Sequence, residues 1–272
     1  MTTPTQRPGR TSVRFALPST LGPDAEKRAR QLHDLLAPAL GNETEVIVAG
    51  SYEQLARDLL AGKVDAAWAP PFVCARIEAM GVRVLVRGVR NGASTYRSAL
   101  LCRKDSNVTL ETLSGTSVAW SDRDSVGGYL LPAALLREKG LDPAKTFFRQ
   151  EFVGSYRAAL EALIAGRVDV ACVYAPSAKA GLGDTTGVAE IWPEKQGEVR
   201  VVAFTEEAPN DGVAVSMSTA PHVVTELEKV LLGLSQTPQG QAVLKDCFHA
   251  ERFELAPRMG YRALYRVALA SL

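Results

Sequence analysis

Residues 50–71, GSYEQLARDLLAGKVDAAWAPP, return 104 residues later as GSYRAALEALIAGRVDVACVYA at 154–175, with nine of the 22 aligned positions identical. Solenoids stack many units of about 20–50 residues. One copy pair at this wider offset points instead to two similar α/β lobes. Both copies have the same physical reading. VIVAG (46–50) and FFRQEFVG (147–154) are strands that end on a glycine suited to a sharp turn. Ser51 and Ser155 then stand at N-cap positions, where a hydroxyl accepts a bond from a free N–H of the first helical turn. Ser51 with Gln54 also fits a capping box. Leu55, Leu59 and Leu60 give one helix an apolar face, and Leu160, Leu163 and Ile164 give the other its face. Gly62 and Gly166 stop the helices, and VDAAWA and VDVACVY resume as buried strands.

The rest of the chain alternates in the same way. SVRFALP (12–18), VRVLVRG (82–88), SALLCRK (98–104), TSVAWS (116–121), VRVVAFT (199–205) and GVAVSM (212–217) are expected strands. Residues 24–40 and a stretch near 128–139 are expected helices, and the tail after Pro221 is expected to be mostly helical. This alternation predicts mixed, mostly parallel sheets with helices on both faces. The repeat begins late in the first half, and the chain runs well past its second copy. A discontinuous first lobe follows, 12–102 with 206–272, and 103–205 is inserted as the second lobe. Residues 1–11 are expected to be a flexible N-terminus. The crossings near Lys104 and Thr205 are the expected hinge, with a ligand cleft between the lobes.

Composition excludes several function classes. Thirty-one basic residues face thirty acidic ones, so there is no broad field for nucleic acid or an anionic membrane. No stretch reaches the roughly 18 apolar residues of a membrane span, and membrane insertion is not expected. The first dozen residues, MTTPTQRPGRTS, lack the apolar run of a secretory signal. The chain as written is therefore expected in the cytoplasm, or in the periplasm if an export signal has been removed. Cys74, Cys102, Cys172 and Cys247 are widely spaced without a CxxC pair, as expected for small buried hydrophobes. His33, His222 and His249 have no zinc-ligand spacing, and neither a P-loop nor a GxSxG elbow is present. No metal, cofactor or catalytic residue is expected.

Four segments together carry a family resemblance. They are SYEQLARDLLAGKVDAAWAPP, TYRSALLCRKDSNVTLETLSGTSVAWSDRDSVGGYLLPAALL, FVGSYRAALEALIAGRVDVA and TEEAPNDGVAV, spanning roughly 50–215. In order and combination they resemble the PhnD-like phosphate and phosphonate substrate-binding proteins of ABC transporters. The resemblance implies a two-lobed type 2 periplasmic-binding-protein fold whose cleft closes on a small anion. It also implies site residues. Tyr52 matches a ligand-contacting Tyr at the start of the first repeat helix, and Tyr96 matches a Tyr before the first crossover. Ser125-Val126-Gly127-Gly128 occupies the place of a Ser-Thr-Ser-Gly turn. Tyr156 stands where the family has a His, and Tyr174 falls near an expected acidic position. The turn thus keeps one hydroxyl of three, and a buried anion needs its hydrogen bonds satisfied.

Several of these residues also have a purely structural reading. The glycine-rich turn at 124–128 suits an anion at a helix N-terminus, or is an ordinary capped helix start. Ser51 and Ser155 cap their helices and, if they face the cleft, also meet a ligand. Tyr52 and Tyr156 follow them with an apolar face and a polar tip. Trp68 either stacks on a ligand at a strand's carboxyl end or fills the core. Five clustered aromatic residues, Tyr52, Trp68, Tyr96, Tyr156 and Tyr174, would suit a flat or cationic organic group. Asp65 and Asp169 are repeat-related, and each is expected to hydrogen-bond its own turn rather than catalyse. Glu206, Glu207 and Asp211 are ligand acids by the resemblance, or solvated loop charges.

The resulting expectation is a small-molecule solute-binding protein, not an enzyme. It would bind a phosphonate, phosphate or other small organic anion by hinge closure, as a monomer. An ABC permease or a signalling partner would read the closed form. Two other readings stay open: an enzyme of the menaquinone-precursor or thiamin-pyrimidine type on the same fold, and a ligand-free interaction module.

Overall fold

The computed structural model describes residues 12–18, 24–41 and 43–269, so the expected flexible segment 1–11 lies outside the described residues. The first half of the chain runs β1 (Arg14–Pro18), α1 (Ala25–Leu40), β2 (Glu45–Ala49), α2 (Tyr52–Leu60), β3 (Ala66–Ala69), α3 (Pro71–Glu78), β4 (Arg83–Val89) and β5 (Thr95–Arg103). It continues through β6 (Ser117–Trp120), α4 (Leu131–Glu138), α5 (Pro143–Thr146), β7 (Arg149–Phe152), α6 (Tyr156–Ile164), β8 (Val170–Pro176), α7 (Val188–Ile191) and β9 (Val199–Phe204). The remainder is β10 (Ala208–Pro209), β11 (Gly212–Val215), α8 (Pro221–Gly233), α9 (Pro238–Phe248), β12 (Arg252–Leu255) and α10 (Arg262–Leu269).

The chain forms two compact units. Among the described residues, the first holds those up to Ser94 together with Pro209–Tyr265, and the second holds Thr95–Ala208 with residues 266–269. The sheet of the first unit has the order β12-β4-β11-β3-β1-β2, and that of the second has β10-β5-β8-β6-β7 with β9 also on β5. The repeat is visible in both. In the first unit β1 pairs in parallel with β2 and β3. In the second β6 pairs in parallel with β7 and β8. Strands β11 with β3 and β4, β12 with β4, and β5 with β8 and β9 pair antiparallel. The sheets are therefore mixed, with less parallel pairing than strand–helix alternation implies. Strands β5, β9 and β11, which flank the crossings between units, and β12, which follows α9, bring in the antiparallel pairing.

The first crossing lies before β5. Residues 95–102, expected with the first lobe, pair along their length with β8, from Tyr96 opposite Pro176 to Cys102 opposite Val170. Strand β9 covers the other edge. A strand hydrogen-bonded on both edges cannot be split from its sheet, so this segment belongs to the second unit.

The shared unit is held by equivalent bonds. In the first unit the Asp65 carboxylate accepts the Arg14 N–H at 2.8 Å, and the Asp65 N–H donates to the Arg14 carbonyl at 2.8 Å. In the second, Asp169 accepts the Ser117 N–H at 2.9 Å and the Ser117 hydroxyl at 2.7 Å, and its N–H donates to the Ser117 carbonyl at 3.1 Å. The repeat-related acids thus bind the neighbouring strand's first residue. The helix caps match too. Ser51 Oγ accepts the Gln54 N–H and Ser155 Oγ accepts the Ala158 N–H, both at 3.1 Å. Gln54 Oε1 reaches back to the Gly50 N–H at 3.1 Å. Gly62 and Gly166 end the two helices at φ +66° and +70°.

Core packing follows strand alternation. In the second unit Ala99, Leu101, Ala171 and Val173 face one cluster with Leu160 and Leu163 of α6. Leu100, Val170 and Cys172 face another with Trp120, Leu136 and Phe147. Helices accordingly cover both faces. In the first unit Trp68, 4% exposed, packs edge-on against Phe248 at 5.1 Å and Phe253 at 5.6 Å. Of its two readings, this packing is the core-filling one: the tail after Pro221 supplies the aromatic residues that enclose it.

All four cysteines are free and buried. Burial raises the thiols of Cys74 and Cys172 far above the ordinary range and pushes Cys247 up to about 12. Native protein at pH 8 should therefore react with a thiol reagent orders of magnitude more slowly than unfolded protein. Stoichiometric native labelling within minutes would contradict that burial. Asp169→Ala should destabilise the protein by roughly 1.5–3 kcal/mol, since it strands the buried Ser117 N–H and hydroxyl. Denaturant unfolding checks this.

Candidate functional site

The second unit gathers the turn and three of the sequence-selected tyrosines at the carboxyl end of β6. Val126–Leu130 form one π-helical turn that runs into α4. Ser125 caps it, its Oγ accepting the Gly128 N–H at 3.0 Å. The first N–H groups of a helix have no acceptor within it, and the helix dipole adds positive potential there. Below the turn, the buried Ser98 hydroxyl bonds to the Gly127 carbonyl and, at 3.0 Å, to the Val173 carbonyl.

Gly127 and Gly128 are required by space. Neither has a left-handed φ. A Cβ on Gly127 would lie 2.8 Å from the Tyr156 hydroxyl, 3.3 Å from Tyr96 Cε2 and 3.5 Å from Tyr174 Cβ. A Cβ on Gly128 would lie 1.7 Å from Ser121 Oγ. Three tyrosines from β5, α6 and β8 therefore converge on the turn. The Tyr156 hydroxyl lies 3.4 Å from Ser125 Oγ, where either group can donate to the other. Its ring meets Tyr174 edge to face, with centroids 5.5 Å apart.

Cations beside these residues in sequence are engaged elsewhere. Arg97 lies 3.5 Å over the Phe204 ring, Arg123 lies 4.2 Å over Phe152, and Arg157 lies 3.7 Å over Trp192 while pairing with Glu161 at 2.9 Å. The cradle is a set of neutral donors. Glu207 is structural: it accepts the Thr95 hydroxyl, the Ser177 hydroxyl at 2.7 Å and the Ala178 N–H at 2.9 Å. Partial burial pushes its carboxyl up, but these bonds and Lys179 outweigh that and hold it below the ordinary range. Asp211 pairs with Arg90 at 2.7 Å, and Glu206 is exposed.

Ser155 Oγ is committed to its cap, and the Val126 side chain is buried, leaving its backbone as the useful part. Ser51 is an exposed cap and Tyr52 is half-buried at the start of α2, both in the first unit. Sequence reasoning missed Ser98, Ser121, Gly187 and Glu190. Ser98 and Ser121 were visible only as small polar residues at strand ends. Among the described residues, no group of His, Cys, Asp and Glu could hold a metal ion, and no helix is long and apolar enough to cross a membrane.

Gly128→Ala should displace Ser121 or the turn and cost about 1–3 kcal/mol. Adding Ser121→Gly should recover much of that loss, because it removes two of the three side-chain atoms that crowd the new methyl, including the nearest. Thermal unfolding of the two variants and the pair measures the coupling; additive losses would contradict the packing.

A model of the family described as the periplasmic substrate-binding protein of phosphonate ABC transporters matches residues 15–261. The phosphate-import protein PhnD of Mycolicibacterium smegmatis is 29% identical over 132 residues, a match spanning 46% of this chain and 41% of that protein. Among solved structures, XAC2383 of Xanthomonas citri bound to ATP superposes with a TM-score of 0.79 at 21% identity, covering 96% of this chain and 98% of that one. PhnD1 of Prochlorococcus marinus in complex with methylphosphonate gives 0.72 at 16% identity, covering 96% and 99%. At these identities the structural likeness establishes the fold, a two-lobed type 2 periplasmic-binding-protein architecture.

Proposed function

The chain belongs to the family of periplasmic substrate-binding proteins of phosphonate ABC transporters, and on that premise we propose that it captures a small phosphorus oxyanion, phosphate or a phosphonate. The carrying observation is the neutral-donor cradle of the second unit. An oxyanion at the Ser125–Gly128 turn would meet the first N–H groups of the helix, Ser125 Oγ and the Tyr156 hydroxyl. Tyr156 answers the shortage of hydroxyls in the turn. It fills the space that a side chain at position 127 would need, so that position's missing donor is supplied from α6.

Tyr96 and Tyr174 supply a wall for the organic substituent. The relatives bound to ATP and to methylphosphonate both hold phosphorus oxyanions, which supports this ligand class. Binding rather than catalysis is the role, because Asp65 and Asp169 are spent on strand N–H groups. The protein acts as a monomer, and an ABC permease is the partner that reads the loaded form. Hinge closure about the two chain crossings belongs to the same reading, and ligand-dependent compaction in small-angle scattering is its mark.

Thermal unfolding against phosphate, methylphosphonate, aminoalkylphosphonates, sulfonates and carboxylates tests the ligand class. At a hundredfold the dissociation constant, stabilisation should be about 2.7 kcal/mol, with phosphorus oxyanions preferred. No shift with any of them, or a shift with carboxylates alone, would sink the reading. Tyr156→Phe should weaken binding about tenfold or more in calorimetry, through loss of a hydrogen bond to a charged ligand.

A further inference from the structure

Tyr174 is held at three points by a short stretch to which the binding reading gives no role. The Gly187 N–H donates to the Tyr174 carbonyl at 2.7 Å. A Cβ on Gly187 would lie 2.8 Å from both Cε1 and Cζ of the ring, so only glycine leaves room for the ring in this position. The Tyr174 hydroxyl donates to Glu190 Oε2 at 2.5 Å. Glu190 is exposed on α7, whereas Gly187 and Val188 are buried.

On its other side, the Tyr174 ring meets Tyr156 edge to face. Tyr156 in turn brings its hydroxyl over Gly127 and toward Ser125 Oγ. An unbroken series of contacts therefore runs from an exposed carboxylate to the opening of the helix. The Tyr174 proton is committed to Glu190, so toward a ligand this residue offers ring surface, while Tyr156 offers the donor. A tyrosine has two side-chain torsions, and the Gly187–Glu190 stretch constrains this one at its backbone, ring face and hydroxyl.

We propose that Gly187 and Glu190 are positioning residues that fix the Tyr174–Tyr156 wall against the oxyanion cradle, and thereby set which substituents on a phosphorus oxyanion are accepted. The inference rests on the proposed binding function and adds a specificity-determining segment outside the residues selected from sequence. Glu190 acts here as a hydrogen-bond acceptor and not as a charge. An amide oxygen should therefore replace its carboxylate.

Calorimetric titration of phosphate and methylphosphonate into the full chain tests this. Glu190→Ala and Tyr174→Phe should each weaken methylphosphonate binding about tenfold, the loss expected when the one hydrogen bond that positions the wall is freed. The ratio of methylphosphonate to phosphate affinity should fall, because the wall meets the substituent. Glu190→Gln should stay within about twofold of the parent. Tighter anion binding by Glu190→Gln would instead assign Glu190 a purely electrostatic role and overturn the inference. So would a lowered melting temperature in Glu190→Ala with both affinities unchanged. If Glu190→Ala fails to fold, Tyr174→Phe, which keeps the ring, decides alone. A parent that binds neither ligand overturns the binding reading and this inference together. A parent that binds, with both variants like it, overturns only the inference.

Discussion

In each unit, one carboxylate at the start of the third repeat strand holds the first residue of the central strand. Asp65 does this for β1 and Asp169 for β6. The bond fixes the register of a three-stranded parallel core, β2-β1-β3 or β7-β6-β8. Register matters because a one-residue slip would exchange the two faces of every strand. In the second unit it would carry Trp120 out of its cluster with Phe147 and misplace Ser121 beneath Gly128. The turn that opens at Ser125 is therefore positioned from the opposite end of the strand. An open α/β sheet presents ligands at its strand carboxyl ends, and here that end is anchored by a carboxylate at the amino end.

Much of this was legible because the repeat encodes local physics twice. Strand, cap, apolar helix face, glycine stop and second strand depend on neighbours within about 25 residues, and both copies spell them out. The failures lie where distant segments meet. Strand β5 looks like any apolar run, and its assignment depends on β8 and β9, some 70–100 residues away in the chain. A marker of the crossing was present in Asn91-Gly92, a tight turn with φ of 51° and 72° just before it. Trp68 was ambiguous because its enclosing rings, Phe248 and Phe253, lie about 180 residues downstream. Strand β12 is four residues inside a tail that otherwise reads as helix. Glu190 had no signal at all: nothing local distinguishes an exposed acid that accepts a tyrosine's hydrogen bond from one that accepts none.

The cradle's electrostatics follow from the way its arginines are engaged. Guanidinium groups at 97, 123 and 157 neighbour Tyr96, the turn and Tyr156 in sequence, yet each lies over an aromatic ring. In the proposed site, anion affinity would then come from oriented dipoles, namely backbone N–H groups, hydroxyls and the helix terminus. Such a site has a physical advantage for reversible capture. Neutral donors stabilise an oxyanion in proportion to hydrogen-bond geometry, whereas a buried cation would attract many anions and would itself need a partner when the site is empty.

The departure of the turn from the family's hydroxyl-rich pattern then has a structural explanation. A side chain at position 127 and a tyrosine at position 156 compete for the same volume, since a Cβ at the first would lie 2.8 Å from the hydroxyl of the second. The glycine and the tyrosine are one feature: removing the side chain from the turn is the condition for delivering a hydroxyl to it from α6. Read along the sequence, the turn has lost donors. Around the cradle, one has moved to another element, and its position now depends on Tyr174 and on whatever holds Tyr174. Selectivity in such a site is set by the packing behind the donors as much as by the donors themselves.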